Sequence, residues 1–371
     1  MNLSTLNKKM KKNKNTLLYT KMKIFHFKDK VDSLPKDNLL IMPPVHIRIK
    51  PTNVCNHNCS YCAYRVGNLQ LGKDMNVRDF IPKEKMLEVI QDLKVMGVKA
   101  VTFSGGGEPF CYPYLLDVVL KLIESKISFA SLTNGALLSG KIAEVFANYA
   151  TWVRISIDGW NDASYAKYRG VKEGEFSRVL NNIKQFKKYR GACYLGVSVI
   201  VNKDNAVHIY DLVRLLRDAG VDSVKISPCI VSNNGLKNNN YHNSVFKIVR
   251  NQISKAKKEC SKEGKFEIFD AYHTQLESFA KPYKWCPYLQ ILPVIGADLN
   301  IYPCQDKAYN LDEGLIGSIK KQSFKSFWFS DKKKFFKVNP SRVCNHHCVA
   351  NEKNRMILDY LGADKEHLCF V

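Results

Sequence analysis

Short β-branched runs alternate along the chain with longer stretches whose apolar residues recur every three or four positions. The first pattern is typical of buried strands and the second of amphipathic helices. The predicted strands lie at 46–50, 100–103, 128–132, 153–157, 195–201 and 223–227. The predicted helices between them lie at 83–96, 114–125, 141–149, 176–189 and 206–219. This alternation predicts an α/β fold with a parallel sheet, and six units favour a curved open sheet or partial barrel over a closed eight-stranded one.

The composition is that of a globular protein, with 45% hydrophobic and 25% charged residues. No uninterrupted apolar run approaches the roughly 20 residues that a membrane-spanning helix needs. The start of the chain also lacks the apolar core of a secretory signal. The sequence therefore predicts a cytoplasmic protein that does not cross a membrane.

Basic residues are in large excess, since 57 lysines and arginines against 34 acidic residues give a formal charge of +23. Such a charge is compatible with an anionic partner such as nucleic acid, a membrane surface or a phosphorylated substrate. Residues 1–30 hold nine of the lysines and a single acid, which predicts a flexible basic arm. The other lysines are scattered without a recognisable nucleic-acid motif, so solvated surface lysine is the favoured interpretation.

The spacing of the 12 cysteines is more informative than their number. Without an export signal a disulfide framework is not expected. Cys55, Cys59 and Cys62 form one group directly after the first predicted strand, with the spacing CxxxCxxC. Thiolates are soft ligands for zinc or iron–sulfur clusters, and three of them on one loop leave a metal with an open position. His57 is the alternative fourth ligand of a zinc site.

The loop of Cys55, Cys59 and Cys62 resembles that of the radical S-adenosylmethionine (radical SAM) superfamily, including an aromatic residue, Tyr61, before the last cysteine. The resemblance implies a [4Fe–4S] cluster whose open iron binds S-adenosylmethionine. It also implies reductive cleavage to a 5′-deoxyadenosyl radical that abstracts a substrate hydrogen, with electrons from a reductant such as flavodoxin or ferredoxin. The implied fold is a partial (β/α)6 TIM-like barrel.

Further motifs follow the next predicted strands, where the carboxyl ends of a parallel sheet gather ligand-binding groups. Ser104–Pro109 resembles the family's GGE motif for the methionine amino group, and the turn at Asn134 resembles its asparagine turn near the cofactor. Ser156 and Asp158 are expected at the ribose or the methionine end, and Arg169 at the methionine carboxylate. The implied cofactor-binding residues are Tyr61, Gly106, Gly107, Glu108, Asn134, Ser156, Asp158 and Arg169.

The second cysteine group comprises Cys286, Cys304, Cys344 and Cys348. A hairpin is predicted over 289–302, turning near 296–298. The group resembles the SPASM domain of the superfamily, or better its shorter twitch form, because four cysteines suit one further [4Fe–4S] cluster. The last pair is CxxxC where CxxC is expected, so His346, His347 or Cys369 are alternative ligands, and zinc or a metal-free site are alternative occupants.

The resemblance divides the chain into a basic arm and lead-in (1–44), a radical SAM core (45–235), a connecting helical segment (236–284) and a twitch/SPASM-like domain (285–371).

We expect a small-molecule substrate such as a sugar or aminocyclitol, oxidised or rearranged, because peptide-modifying members often carry a longer module before the cysteine loop. A ribosomal-peptide maturase is the alternative, and a zinc-stabilised RNA-binding protein is the alternative of another class. Acidic and tyrosine side chains between Asp270 and Asp298 are unranked candidates for a base.

Overall fold

The computed structural model describes residues 20–69, 71–261, 266–277 and 279–370. Ten strands in these residues form a single sheet. The strands are β1 (His46–Ile49), β2 (Ala100–Phe103), β3 (Ser128–Thr133), β4 (Trp152–Ser156), β5 (Tyr194–Val201), β6 (Ser223–Pro228), β7 (Glu267–Asp270), β8 (Val294–Ile295), β9 (Asn300–Tyr302) and β10 (Gly317–Ser318). Their order across the sheet is β10-β9-β8-β1-β2-β3-β4-β5-β6-β7.

The helices of the described residues lie mainly between consecutive strands. They are α1 (Lys28–Asp32), α2 (Lys83–Met96), α3 (Leu115–Glu124), α4 (Gly140–Tyr149), α5 (Asp162–Arg169), α6 (Glu175–Lys188), α7 (Ile209–Asp218), α8 (Gly235–His242), α9 (Phe246–Cys260), α10 (Ala271–Glu277), α11 (Leu311–Gly314), α12 (Phe324–Phe329), α13 (Pro340–Val343) and α14 (Asn351–Leu361). None of these is long and apolar enough to span a bilayer.

Strands β1 to β7 are all parallel, which confirms the predicted sheet and its six strands. The five predicted helices are confirmed as α2, α3, α4, α6 and α7, the last preceded by a 3-10 turn. Apolar side chains of the central strands, among them Val153 and Leu195, are fully buried in the main core. Because all these strands run the same way, the loops after them meet at one edge of the sheet.

The seventh parallel strand, β7, lies inside the segment expected to be a helical connection, so that expectation is wrong at β7. All four residues of β7 are only half-buried, and the strand has neither a continuous apolar run nor full burial. A strand of this kind gives little periodic signal, and its pairing with β6 is what defines it.

The C-terminal cysteine-rich region joins the core sheet through β8, which pairs in parallel with β1. Strands β8 and β9 form the predicted hairpin, with Val294 opposite Tyr302, and β10 adds an antiparallel edge. The pairing of β8 with β1 places the start of this region beside the strand that leads into the first cysteine loop.

Residues 20–30, the described part of the predicted flexible arm, form a 3-10 turn and the start of α1, contrary to the expectation there; residues 1–19 of the arm lie outside the described residues. A 3-10 turn and α1 pack Ile24 and Val31 against Ile357 of α14. Lys30 is 4% exposed and donates a 2.8 Å hydrogen bond to the carbonyl of Met42. The apolar residues between the lysines therefore hold this segment against the protein, because the free energy gained by burying their side chains exceeds the cost of the segment's positive charge.

Candidate functional site

The first cysteine loop follows β1 and is held by the end of α5. Cys55, Cys59 and Cys62 are half-buried free thiols. The backbone N–H of Asn58 donates to the carbonyl of Arg169 at 2.9 Å. Gly170 ends α5 with φ +59°, and a Cβ there would lie 2.4 Å from the Asn58 oxygen. A glycine is therefore required where α5 docks on the loop.

Burial disfavours the thiolate form of Cys55 and Cys59. It raises the pKa of Cys55 to about 11. It also raises the pKa of Cys59, although Arg169 Nη1 donates to the Cys59 sulfur at 3.7 Å. A bound metal centre supplies the positive charge that reverses this effect.

The glycine-rich loop after β2 packs directly against the cysteine loop. A Cβ on Gly106 would lie 2.1 Å from Asn53 Oδ1, and one on Gly107 would lie 2.1 Å from the Val54 carbonyl oxygen. The N–H of Gly107 donates to the carbonyl of Thr52 at 3.2 Å. The glycines thus permit contact between the two loops, a close approach that a side chain would prevent.

Glu108 links the loops after β2 and β3. Its Oε1 accepts from Thr133 Oγ1 at 2.6 Å and from Phe110 N at 3.1 Å, and its Oε2 accepts from Asn134 N at 2.7 Å. Burial raises the pKa of Glu108. Asn134 Nδ2 in turn donates to Asn56 Oδ1 of the cysteine loop at 2.8 Å. A carboxylate has about four acceptor sites, so Glu108 keeps one for a ligand.

A buried ion pair joins the loop after β4 to the end of α5, and both of its partners contact the cysteine loop. Arg169 Nη2 donates to Asp158 Oδ2 at 2.5 Å, and the side chains are 5% and 2% exposed. Tyr61 OH also donates to Oδ2, and the N–H of Ile200 donates to Oδ1 at 2.7 Å. The structure thus pairs Arg169 with Asp158 and Cys59. Ser156 is half-buried at the end of β4.

The second cysteine group lines one small enclosed cavity in the C-terminal region. All four thiols, Cys286, Cys304, Cys344 and Cys348, contribute to its wall. Asn354 Nδ2 donates to the Cys286 sulfur at 3.2 Å, and Ala350 N donates to the Cys348 sulfur at 3.4 Å. Burial raises the pKa of all four thiols, that of Cys344 to about 11.

The alternative ligands of the second group take different positions. His346 lines the same cavity, and burial lowers its pKa to about 3. His347 does not contribute to the wall. Cys369 is exposed, with its sulfur 4.0 Å from the carbonyl oxygen of Glu366. Among the described residues that line this cavity, the four cysteines and His346 are those whose side chains are of a type that can bind a metal.

Both donor sets are dominated by cysteine, whose thiolate binds iron–sulfur clusters and zinc. No three His, Cys, Asp or Glu side chains among the described residues are gathered around one common metal position. The thiolates of a four-iron cluster bind different irons, so they need not converge on one point. Beside the first loop, Ser104 Oγ and Arg169 Nε are buried without a hydrogen-bond partner in the described residues. Those two donors suit a ligand with acceptor groups, such as a carboxylate.

Two charged residues at the site were missed by sequence reasoning. Lys50, at the end of β1, is fully buried and donates to Tyr64 OH at 2.5 Å and to the Gly105 carbonyl at 2.6 Å. Its ammonium lies 4.2 Å from the centre of the Tyr64 ring and 5.8 Å from the centre of the Tyr309 ring. Burial lowers the pKa of Lys50 well below its usual value. The sequence feature that could have identified Lys50 is its position at the end of an apolar strand.

Asp306 is the carboxylate that faces this same region. Burial raises its pKa, against the opposing charges of Arg48, Lys281 and Lys50. Asp306 lies outside residues 270–298, where the sequence predicted the candidate bases. The first and last acids of that range, Asp270 and Asp298, are hydrogen-bonded to His273 and to Tyr302 respectively. The sequence feature that could have identified Asp306 is its position two residues after Cys304.

Comparisons with known proteins agree with this geometry. The family model described as "Radical SAM superfamily" matches residues 49–216. A "Cysteine-type anaerobic sulfatase-maturating enzyme" of Clostridium novyi is 25% identical over 316 residues, covering 80% of this chain and 82% of that protein. In addition, β2 to β5 and α2 to α6 lie within the residues that the family model matches.

Two solved structures share the fold. SuiB of Streptococcus suis bound to its precursor peptide SuiA has a TM-score of 0.59 and 18% identity, covering 88% of this chain and 74% of that one. The structure titled "Native anSMEcpe with bound AdoMet and Cp18Cys peptide" has a TM-score of 0.58 and 17% identity, covering 86% of this chain and 96% of that one. Both matches extend beyond the core into the C-terminal region.

Proposed function

We propose, from the premise that this chain belongs to the radical SAM superfamily and carries a SPASM/twitch-type extension, that it removes a hydrogen atom from a peptide substrate. Its cofactors are S-adenosylmethionine and a [4Fe–4S] cluster, with an auxiliary cluster in the extension. The peptide replaces the small molecule that the sequence alone favoured.

The observation that carries the proposal is the pairing of β1 with β8. β1 leads into the first cysteine loop, and the β8–β9 hairpin leads to Cys304 of the second group. The segment after Cys62 is also hydrogen-bonded to the segment after Cys304: Gly72 N–H donates to the Ala308 carbonyl at 3.2 Å, and Asp74 N–H donates to the Tyr309 carbonyl at 2.8 Å. A substrate bound beside these two segments would lie near both groups, which suits a reaction that removes a hydrogen atom and then an electron.

The relatives support a peptide as the substrate. The Clostridium novyi protein, which aligns with both the core and the extension, is named for the maturation of a sulfatase. Both solved structures with the shared fold carry peptides in their titles. The anSMEcpe chain is covered over 96% of its length by this one, so a peptide-bound protein of this fold needs no longer N-terminal module.

Each residue has a specific part in the proposal. Cys55, Cys59 and Cys62 hold the first cluster, and the loop of Gly106 and Gly107 admits the cofactor. Glu108 offers its free acceptor site to the amino group, and Asn134, Tyr61 and Ser156 border the same cleft. Asp158 holds Arg169 in place, leaving Arg169 Nε for an acceptor on the cofactor. When bound, the cluster and S-adenosylmethionine together supply a hydrogen-abstracting 5′-deoxyadenosyl radical.

The first experiment is metal analysis of anaerobically reconstituted protein. Iron, sulfide and zinc per chain are compared with a variant in which Cys55, Cys59 and Cys62 are alanine. About eight irons falling to about four supports two [4Fe–4S] clusters, one in each cysteine group. Zinc in place of iron in both groups would overturn the proposal in favour of the zinc-stabilised protein.

The second experiment tests the substrate class. Reduced protein is incubated with S-adenosylmethionine and either short peptides containing cysteine or serine or a set of sugars and aminocyclitols. Mass spectrometry of the peptides, together with 5′-deoxyadenosine release, reports the reaction. Loss of two hydrogens from a peptide supports the proposal. Conversion of an alcohol in the small-molecule set, with the peptides unchanged, would restore the small-molecule interpretation.

A further inference from the structure

A polar groove of about 520 Å³ opens between segments that adjoin both cysteine groups. One wall is the segment after Cys62, with Asn68 and Lys73. The opposite wall holds Arg342 and Asn345, which lie on either side of Cys344. The backbone N–H of Asp74 donates to the carbonyl of Tyr309 at 2.8 Å and so joins the first wall to a third lining segment, which holds Asn310 and Asp312.

The groove is lined by amide side chains. Asn68, Asn233, Asn310 and Asn345 contribute to it. An asparagine amide offers two donors and an acceptor, which match the N–H and C=O groups of an extended peptide. The side chain of Asn345 is exposed and makes no hydrogen bond to another described residue, so it is free to pair with a ligand.

One positive charge in the groove is uncompensated. Lys73 is paired with Asp312 at 2.6 Å, and Glu313 is paired with Lys307. Arg342 is exposed and has no ion pair or side-chain hydrogen bond within the described part of the chain. A guanidinium binds a carboxylate through two parallel hydrogen bonds.

We propose that this groove binds the substrate peptide through an aspartate or glutamate side chain that pairs with Arg342. The inference rests on the proposed peptide substrate and adds a specificity to it. The net charge of +23 acts in the same direction, because a basic protein concentrates acidic ligands near its surface. Arg342 binds the acidic side chain, and Asn345 pairs with the peptide backbone beside it, whereas the amides of Asn68, Asn233 and Asn310 are already hydrogen-bonded within the protein.

The test measures binding of labelled peptides to the full chain by fluorescence anisotropy. The probes are two peptides of equal length, one alternating serine with aspartate and one alternating serine with asparagine. We expect tighter binding of the aspartate peptide and about a tenfold loss in Arg342→Gln, equivalent to about 1.4 kcal/mol. Arg342→Lys should retain part of the affinity, because it keeps the charge and loses the planar fork.

Arg355→Gln is the matched control, since Arg355 is an exposed arginine on α14 outside the groove. Equal losses in Arg342→Gln and Arg355→Gln would show attraction by net charge alone and would overturn the inference. Failure of the wild-type chain to prefer the aspartate peptide would overturn it too, as would stronger, Arg342-dependent binding of an oligonucleotide. The assay needs neither clusters nor turnover, so binding without peptide modification would contradict only the proposed function.

Discussion

Replacing Asp158 with asparagine removes the negative charge that faces Arg169 inside the protein. We expect the free energy of unfolding to fall by about 3–5 kcal/mol, because breaking a buried pair on one side leaves an uncompensated charge. Both side chains are at least 95% buried, so water cannot replace the lost carboxylate. In the wild type, Tyr61 OH and Arg169 Nη2 both donate to Asp158 Oδ2. If the NH2 group of asparagine takes that position, it is a donor facing two donors, and those hydrogen bonds are lost.

The loss is large beside the stability of an ordinary domain, which is about 5–15 kcal/mol. The assay is urea unfolding of the metal-free, reduced chain, followed by tryptophan fluorescence and by circular dichroism. Asp211→Asn is the control, because Asp211 meets Arg214 at 3.6 Å on the surface and is 63% exposed. That change should cost less than about 1 kcal/mol.

A double variant separates the pair from its surroundings. Arg169→Met alone leaves Asp158 unpaired, whereas Arg169→Met with Asp158→Asn removes both charges. We expect the double variant to lose less than the sum of the two single losses, with a coupling of about 2 kcal/mol or more. Additive losses, or an Asp158→Asn loss no larger than that of Asp211→Asn, would refute the reasoning from buried charge.

Three further predictions concern the glycine loop, the second cavity and a buried lysine. Gly107→Ala puts a Cβ 2.1 Å from a backbone oxygen of the cysteine loop, so affinity for S-adenosylmethionine should fall at least about tenfold. Gly67→Ala, with open space at its Cβ, should bind normally in the same calorimetric titration. Cys286→Ala should lose about four of about eight irons and still cleave S-adenosylmethionine, and unchanged iron would exclude Cys286 as a ligand. Burial and the charge of Lys332 lower the pKa of Lys30 to about 7. Above pH 7 the unfolded chain therefore holds a proton that the native chain releases, and native stability rises with pH. The stability of wild type relative to Lys30→Met should rise by about 2 kcal/mol from pH 7 to pH 9, and a flat difference in urea titrations would contradict this.

The sequence by itself determined the alternation of strands and helices from β1 to β6. This signal is local, because a period near two marks a strand and a period of 3.6 marks a helix. It also determined that a motif follows each early strand, and the parallel direction of those strands then brings the motifs to one edge. The spacing of Cys55, Cys59 and Cys62 is likewise visible within a few residues.

Only the tertiary structure decided which distant groups meet. The contacts of Tyr61 with Asp158, of Asn134 with Asn56 and of Lys50 with Gly105 each join different loops of the sheet. No local pattern encodes such partners, because they depend on how the whole sheet curves and packs. The half-buried β7 shows the same limit, since its pairing with β6 rather than its own pattern makes it a strand.

The same reason explains the joining of β8 to β1. The two strands are far apart along the chain, and β8 has only two residues, too few to show a period of their own. Their pairing makes the hairpin that leads to Cys304 a neighbour of the strand that leads to Cys55. Local spacing determined that both groups exist, whereas long-range packing decided that the strands leading to them lie side by side in one sheet.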